Sequence, residues 1–212
     1  MGEGKIVVAI DSELKHNAVD LARSVSDYIY AVKVNWPLIL ERGIGIVKEL
    51  SSITKVICDL KLADIPNTNR LIAEKIISAG GFAIIAHAFC GTDSLKAVKF
   101  TEKVRLISVI AMTHPGGDEY INGHWEKLLK TATEAGSYGI IAPGNNPVIL
   151  SRVKKSAGEL KIFSPGIGTQ GGDPVTAIKN GADFIIVGRT VYDSDDPVSV
   201  VSEMRSRIGS YD

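Results

Sequence analysis

The sequence predicts an α/β protein folded as a single (β/α)8 TIM barrel, and three observations carry that expectation. Eight short apolar runs recur along the chain, their interiors are nearly continuous Val, Ile, Leu, Phe and Ala, and helical patterns separate them. Continuous apolar strands belong to parallel sheets covered on both faces. Strands that alternate with helices form parallel βαβ units. The 212 residues allow about 26 for each of eight units, near the short end of the usual barrel range. An open, doubly wound sheet is the structural alternative, because strand count alone does not demonstrate closure.

In chain order the runs occupy residues 5–10, 30–34, 55–61, 82–88, 104–111, 138–142, 161–166 and 182–188. After the first, Ala18, Leu21, Ala22 and Val25 follow the i, i+3, i+4, i+7 spacing of a helix with one apolar face. Pro37 stands near the start of a helix after the second run, where a fixed φ and a missing N–H are harmless. Gly80-Gly81 marks the helix stop before the fourth run. Pro147 and Asp173-Pro174 open helices after the sixth and seventh, and Gly181 closes the latter. Val201, Met204 and Ile208 repeat the helical spacing at the end. No linker, low-complexity tract or composition break interrupts the series, so residues 1–212 are expected to form one catalytic domain.

Charge and cysteine content exclude several function classes. Twenty-four basic residues balance 24 acidic ones and no run of five like charges occurs, which argues against a nucleic-acid stripe or an acidic tail. No apolar stretch approaches the roughly 18 residues of a membrane span. The two cysteines, Cys58 and Cys90, make no disulfide framework, and the N-terminal residues pass directly into the first strand-like run. A cytoplasmic protein with neither nucleic-acid nor membrane partner is expected.

The chemistry concentrates at strand ends. In the third run, Asp59 and Lys61 are two apart and share a face, while Val56, Cys58 and Leu60 face the other way. Charges facing a parallel-sheet interior are costly unless paired or placed at a wet rim. Asp11 closes the first run, Lys33 lies near the end of the second, and Asp64 follows the third. In a barrel these ends gather at the C-terminal face, where barrel enzymes carry their chemistry. Isolated rim charges or structural ion pairs are the bland reading. Four charges on three consecutive strand ends favour an alternating network, in which each charge stabilises its neighbour's ionised form.

A second cluster follows the seventh and eighth runs. Ser164-Pro165-Gly166-Ile167-Gly168-Thr169-Gln170-Gly171 contains a G-x-G-x-x-G, but it follows the seventh strand and lacks the acidic residue of a dinucleotide site. Barrels often hold phosphate at this place, with backbone N–H groups and a helix N-terminus. Gly166, Gly168 and Gly188 allow close backbone approach, and Arg189 offers a bidentate fork. The inferred ligand is a phosphorylated small molecule.

Asp59-x-Lys61-x-x-Asp64-Ile65-Pro66-Asn67-Thr68 resembles the signature of the orotidine 5′-monophosphate decarboxylase family. The likeness extends to Ala9-Ile10-Asp11, Val32-Lys33-Val34, Met112-Thr113-His114-Pro115-Gly116, Ser164-Pro165-Gly166-Ile167-Gly168 and Ile186-Val187-Gly188-Arg189, nearly the whole chain. The D-x-K-x-x-D core alone is shared with relatives acting on sugar phosphates, whereas the Ile65–Thr68 extension, Gln170 and Arg189 are more specific.

The resemblance implies decarboxylation of orotidine 5′-monophosphate to UMP in de novo pyrimidine biosynthesis, without cofactor or metal, in a homodimer. Lys61 would then protonate C6 of the pyrimidine, Asp59 would sit beside the substrate carboxylate, and Lys33 would bridge the network and touch ribose. Asp11 would bind a ribose hydroxyl, and Asp64 with Ile65 and Thr68 would reach the partner subunit's site. Thr113, where many family members carry Ser, would meet the pyrimidine. Gln170 would span base and phosphate, Pro165, Gly166, Ile167 and Gly168 would line the nucleotide, and Arg189 with the Gly188 amide would hold the phosphate. Residues 113–124 and 168–173 are candidate lids.

Other constellations carry less. The four histidines lack metal-ligand spacing, and His87 is expected to be a hydrogen-bonded structural residue. Trp36 and Trp125 read as packing residues, and Asp183 belongs to the stability face. The nearest alternative is a barrel enzyme on a sugar phosphate, such as a 3-keto-6-phosphogulonate decarboxylase or hexulose-phosphate synthase. Those relatives use Mg2+ held partly by an acidic residue near the second strand, where this chain has Lys33 and Asn35. A phosphate-ligand binding module without catalysis is the third reading.

Overall fold

Eight parallel strands close on themselves in sequence order, β1 (Ile6–Ile10), β2 (Ala31–Asn35), β3 (Val56–Leu62), β4 (Ala83–His87), β5 (Arg105–Val109), β6 (Gly139–Ile141), β7 (Lys161–Ser164) and β8 (Phe184–Val187). The first pairs with both its successor and β8, so the closed barrel is correct and the open sheet is not. This computed structural model describes residues 4–12 and 15–209.

The helices around it are α1 (Ala18–Val25), α2 (Trp36–Arg42), α3 (Gly45–Ser51), α4 (Pro66–Ser78), α5 (Thr92–Val98), α6 (Gly117–Tyr120), α7 (Trp125–Glu134), α8 (Pro147–Ser156), α9 (Pro174–Lys179), α10 (Arg189–Tyr192) and α11 (Pro197–Gly209). The local signals act as expected. Ala18, Leu21, Ala22 and Val25 are the buried stripe of α1, and Val201, Met204 and Ile208 are among those of α11. Asp173 caps α9 through the Thr176 amide. Beyond α4 and α9, Gly80 and Gly181 adopt φ 93° and 108°, the left-handed region that ends a helix most readily with glycine.

Strand alternation builds two cores. Outward side chains such as Val8, Val32, Cys58 and Ile84 join the helices in an outer layer, while Val7, Ala9, Ile57, Ile85, Ile107 and Ile186 fill the barrel. Each buried Val, Ile or Phe contributes about 1.5–3 kcal/mol. The N-terminal mouth is plugged by aromatic rings: Tyr30 and Phe163 pack on Phe184 at centroid distances of 4.1 and 4.7 Å. Lys55 lies 4.1 Å over the Tyr30 ring. Asp183 belongs to this end, accepting from the Ile162 amide and pairing with Lys154 and Lys161. Trp125 packs against the outer core. Trp36 departs from the packing expectation: it is 43% exposed, tethered by its indole N–H to the Leu60 carbonyl.

Regularity breaks in β3. Its pairing with β4 shifts register between Cys58 and Leu62, and Lys61 sits at φ 44°, positive for a non-glycine residue. Such a conformation costs about 1–3 kcal/mol and persists where the surroundings impose it.

Candidate active site

The inward face of each strand is apolar below and polar at its C-terminal end. Along β1 the inward series runs Val7, Ala9, then Asp11 just beyond; along β2 it runs Ala31, Lys33, Asn35; along β3 it runs Ile57, Asp59, Lys61. The period of two thus delivers Asp11, Lys33, Asn35, Asp59 and Lys61 to one cavity of about 270 Å3.

Their charges alternate in space as well. Lys33 Nζ stands 2.9 Å from Asp59 Oδ2, and Lys61 Nζ donates to both Asp59 oxygens at 2.9 Å. Lys33 is 3.9 Å from Asp11 Oδ1, so the order is Asp11–Lys33–Asp59–Lys61. The side chains of Lys33 and Asp59 are 9% and 8% exposed, that of Lys61 44%. Burial would push the Asp59 carboxyl up, but the Lys33 and Lys61 ammoniums outweigh it and hold the group below its usual range. Asp59 is therefore a fixed, ionised carboxylate, and the Lys61 ammonium is the accessible end of the array.

The rest of the wall comes from the segments after β5, β7 and β8: Thr113, Pro165, Gly166, Ile167, Gln170, Gly188 and Arg189 line the same cavity, with Gly188 beside Asp11. Gly166 adopts φ 90°, and a Cβ there would meet Thr113 and Asn145 at 3.1 Å, so glycine is required. Gly168, outside the lining, supports the turn by donating its amide to the Gly172 carbonyl at 2.8 Å. Arg189 is exposed; its carbonyl accepts from the Asp193 amide, but its side chain makes no hydrogen bond or ion pair among the described residues, leaving the guanidinium available to an anion.

Asp64, Ile65 and Thr68 lie outside the lining. Asp64 is exposed at the entry to α4; its carboxylate accepts from the Ile65 amide, and Asn69 and Ser94 hold its carbonyl. The segment 113–124, expected as a polar lid, is largely helical. Asn122 is buried there, clamping the Met112 amide and carbonyl at 2.8 and 3.2 Å and donating to Asp118. The turn 168–173 is likewise tied, by Gly172 N donating to Gly166 O at 2.9 Å.

His87 corrects the expectation of a hydrogen-bonded residue. It is buried at the end of β4, and its Nδ1 has no hydrogen-bond partner among the described residues. Burial, and secondarily the Lys61 ammonium, lower its pKa to about 4, so the ring is neutral beside the array. Among the described residues no group of three or more His, Cys, Asp or Glu side chains is placed to hold a metal ion.

Three contributors escape sequence reasoning. Asn35 donates to Asp11 Oδ1 at 2.8 Å, Tyr192 to Asp11 Oδ2 at 3.3 Å, and Asn145 reaches the Thr113 and Gln170 carbonyls at 3.5 Å. The spacing of Asn35 from Lys33 could have revealed it. Tyr192, separated from Asp11 by most of the chain, left no local signal.

The described model of the "Orotidine 5′-phosphate decarboxylase / HUMPS family" matches residues 4–204. The orotidine 5′-phosphate decarboxylase of Thermoplasma volcanium is 48% identical over 202 residues, covering 95% of this chain and 91% of that protein. That of Pyrococcus furiosus is 47% identical over 195 residues, covering 91% and 92%. The crystal structure of the Pyrococcus horikoshii enzyme superposes with a TM-score of 0.90 at 43% identity, covering 96% of this chain and 99% of that one. The orotidine 5′-monophosphate decarboxylase of Methanocaldococcus jannaschii, complexed with the inhibitor BMP, gives 0.91 at 33% identity, covering 98% and 99%.

Proposed function

The chain belongs to the orotidine 5′-phosphate decarboxylase / HUMPS family, and on that premise we propose that it is a carboxy-lyase converting orotidine 5′-monophosphate to UMP in de novo pyrimidine biosynthesis, with neither metal nor cofactor. The observation that carries the reading is an ionised Asp59 held between two ammoniums at 2.9 Å, in a cavity also lined by an exposed guanidinium that has no ion pair among the described residues.

Arg189 and the Gly188 amide take the phosphate, Gln170 spans phosphate and base, and Pro165, Gly166 and Ile167 line the nucleotide. Thr113 meets the pyrimidine, while Asp11 and Lys33 take the ribose. The substrate carboxylate lies beside Asp59. Repulsion between the two carboxylates is relieved as CO2 leaves, so the contact favours the transition state over the ground state. The electron pair of the broken bond stays on C6, where the Lys61 ammonium stabilises it and then transfers a proton; the resulting amine regains one from water. Lys61 suits this role because its ammonium is the exposed end of the array and its partner Asp59 stays ionised. Phosphate binding remote from the reacting carbon supplies energy for orientation there.

The active form is a homodimer of one-domain subunits. Asp64, Ile65 and Thr68 complete the partner's site, and the exposed apolar side chains of Trp36, Leu40, Ile65, Leu71 and Phe89, on successive βα units, form the contact surface. Both cysteines are free, which fits a reducing cytoplasm.

Loss of the substrate's pyrimidine absorbance, measured with and without EDTA, tests the reaction. Consumption insensitive to EDTA is expected. EDTA-sensitive turnover of a sugar phosphate would favour the other branch of the family, and UMP binding without consumption would leave a binding module.

A further inference from the structure

Asp11 is gripped from two sides. Asn35 Nδ2 donates to Oδ1 at 2.8 Å, and the Tyr192 hydroxyl donates to Oδ2 at 3.3 Å. Burial and the Asp11 carboxylate push the Tyr192 phenol up to about 12, so it remains a donor at neutral pH. Asn35 comes from β2, two residues beyond Lys33 and on the same inward face. Its amide has one sensible orientation, because reversal would bring its oxygen against a carboxylate oxygen. That orientation leaves Asn35 Oδ1 buried and without a partner among the described residues, although the residue lines the cavity. Asn35 precedes α2, yet its side chain makes no capping bond there. A buried carbonyl oxygen that lacks a donor is rare enough to point to a group supplied from outside the chain.

We infer that Asn35 is a sugar-recognition residue: through Nδ2 it positions Asp11, and through Oδ1 it accepts a hydrogen bond from a ribose hydroxyl. The inference rests on the nucleotide reading of the cavity and names the part of the ligand that Asn35 selects. Asp11 and Asn35 act as a pair of acceptors for the sugar's hydroxyl groups. A site built from such acceptors rejects a deoxy sugar, because removing a hydroxyl leaves a buried oxygen unpaired.

The test is calorimetric titration of the full chain with UMP, 2′-deoxy-UMP and 3′-deoxy-UMP, for wild type, Asn35→Ala and Asn35→Ser, with melting temperatures alongside. Wild type is expected to prefer UMP by about tenfold or more over at least one deoxy nucleotide, and in the variants that preference contracts to within about threefold. An unchanged preference in a folded variant overturns the inference. Equal weakening of all three nucleotides also overturns it, since that is the signature of a merely structural residue. Should neither variant fold, the wild-type ratio decides: no discrimination overturns the role. A wild-type chain that discriminates among these nucleotides, loses that discrimination with Asn35 and leaves orotidine monophosphate intact would support Asn35 while refuting the proposed reaction.

Discussion

Asp59→Asn removes the negative charge between two ammoniums while preserving the shape of the side chain. Lys33 and Lys61 both stand 2.9 Å from Asp59 oxygens, and the Lys33 side chain is only 9% exposed. Removing one partner of a buried ion pair costs about 3–5 kcal/mol, chiefly because the remaining charge stays buried and unpaired. Lys61 is 44% exposed and recovers water, and Lys33 keeps Asp11 at 3.9 Å, so the low end applies, about 3 kcal/mol. For a chain of this length each kcal/mol moves the midpoint by roughly 2–4 °C, giving a fall of about 6–12 °C at pH 7. The pH dependence has a definite sign. Asp59 is held below its ordinary value of 3.8 in the folded state, so its stabilisation is present above about pH 4 and lost as pH falls through the folded pKa. The gap between wild type and variant is therefore full at pH 7 and narrows below pH 4. Thermal and urea unfolding at both ends of that range measure it. A variant as stable as wild type at pH 7 refutes the electrostatic reasoning.

Arg189→Ala is expected to weaken UMP binding and raise KM by roughly 10- to 100-fold, the worth of a charge-assisted bond, while leaving uridine binding unchanged; an unaltered KM contradicts the phosphate assignment. If the proposed homodimer forms through the exposed apolar surface, Leu71→Asp should yield a monomer in sedimentation and lower turnover, because Asp64 and Thr68 would no longer complete a partner's site; a fully active monomer contradicts the proposal. His87 has a folded pKa of about 4 against 6.5 unperturbed, so its neutral form favours folding above about pH 6.5 and that stability is lost as pH falls towards 4. His87→Asn should flatten the stability profile across that window, and an unchanged slope would show that another group governs it.

Legibility in the sequence followed the range of the interactions involved. Strands and helix stops were readable because their causes are local: Ile6–Ile10 is continuously apolar, and Gly80 and Gly181 stand where the chain must turn left-handed. The array was readable as well, since Lys33, Asp59 and Lys61 sit at strand ends and closure of the barrel does the rest. What escaped depends on distant partners. The distortion at Lys61 coincides with the register shift against β4, and the helical turns at 117–120 and 122–124 lie where Asn122 grips the Met112 backbone. His87 was placed correctly at a strand end, but its missing partner is a property of neighbours that no spacing encodes.

Lys61→Ala separates binding from chemistry most directly. Wild type and variant are titrated with UMP and then followed for loss of orotidine monophosphate absorbance. UMP affinity should stay within a few-fold while turnover falls by about 10^4-fold or more, the combined loss of proton transfer and of charge stabilisation at C6. Turnover at the wild-type rate in a folded Lys61→Ala variant would contradict the assignment of Lys61 as proton donor.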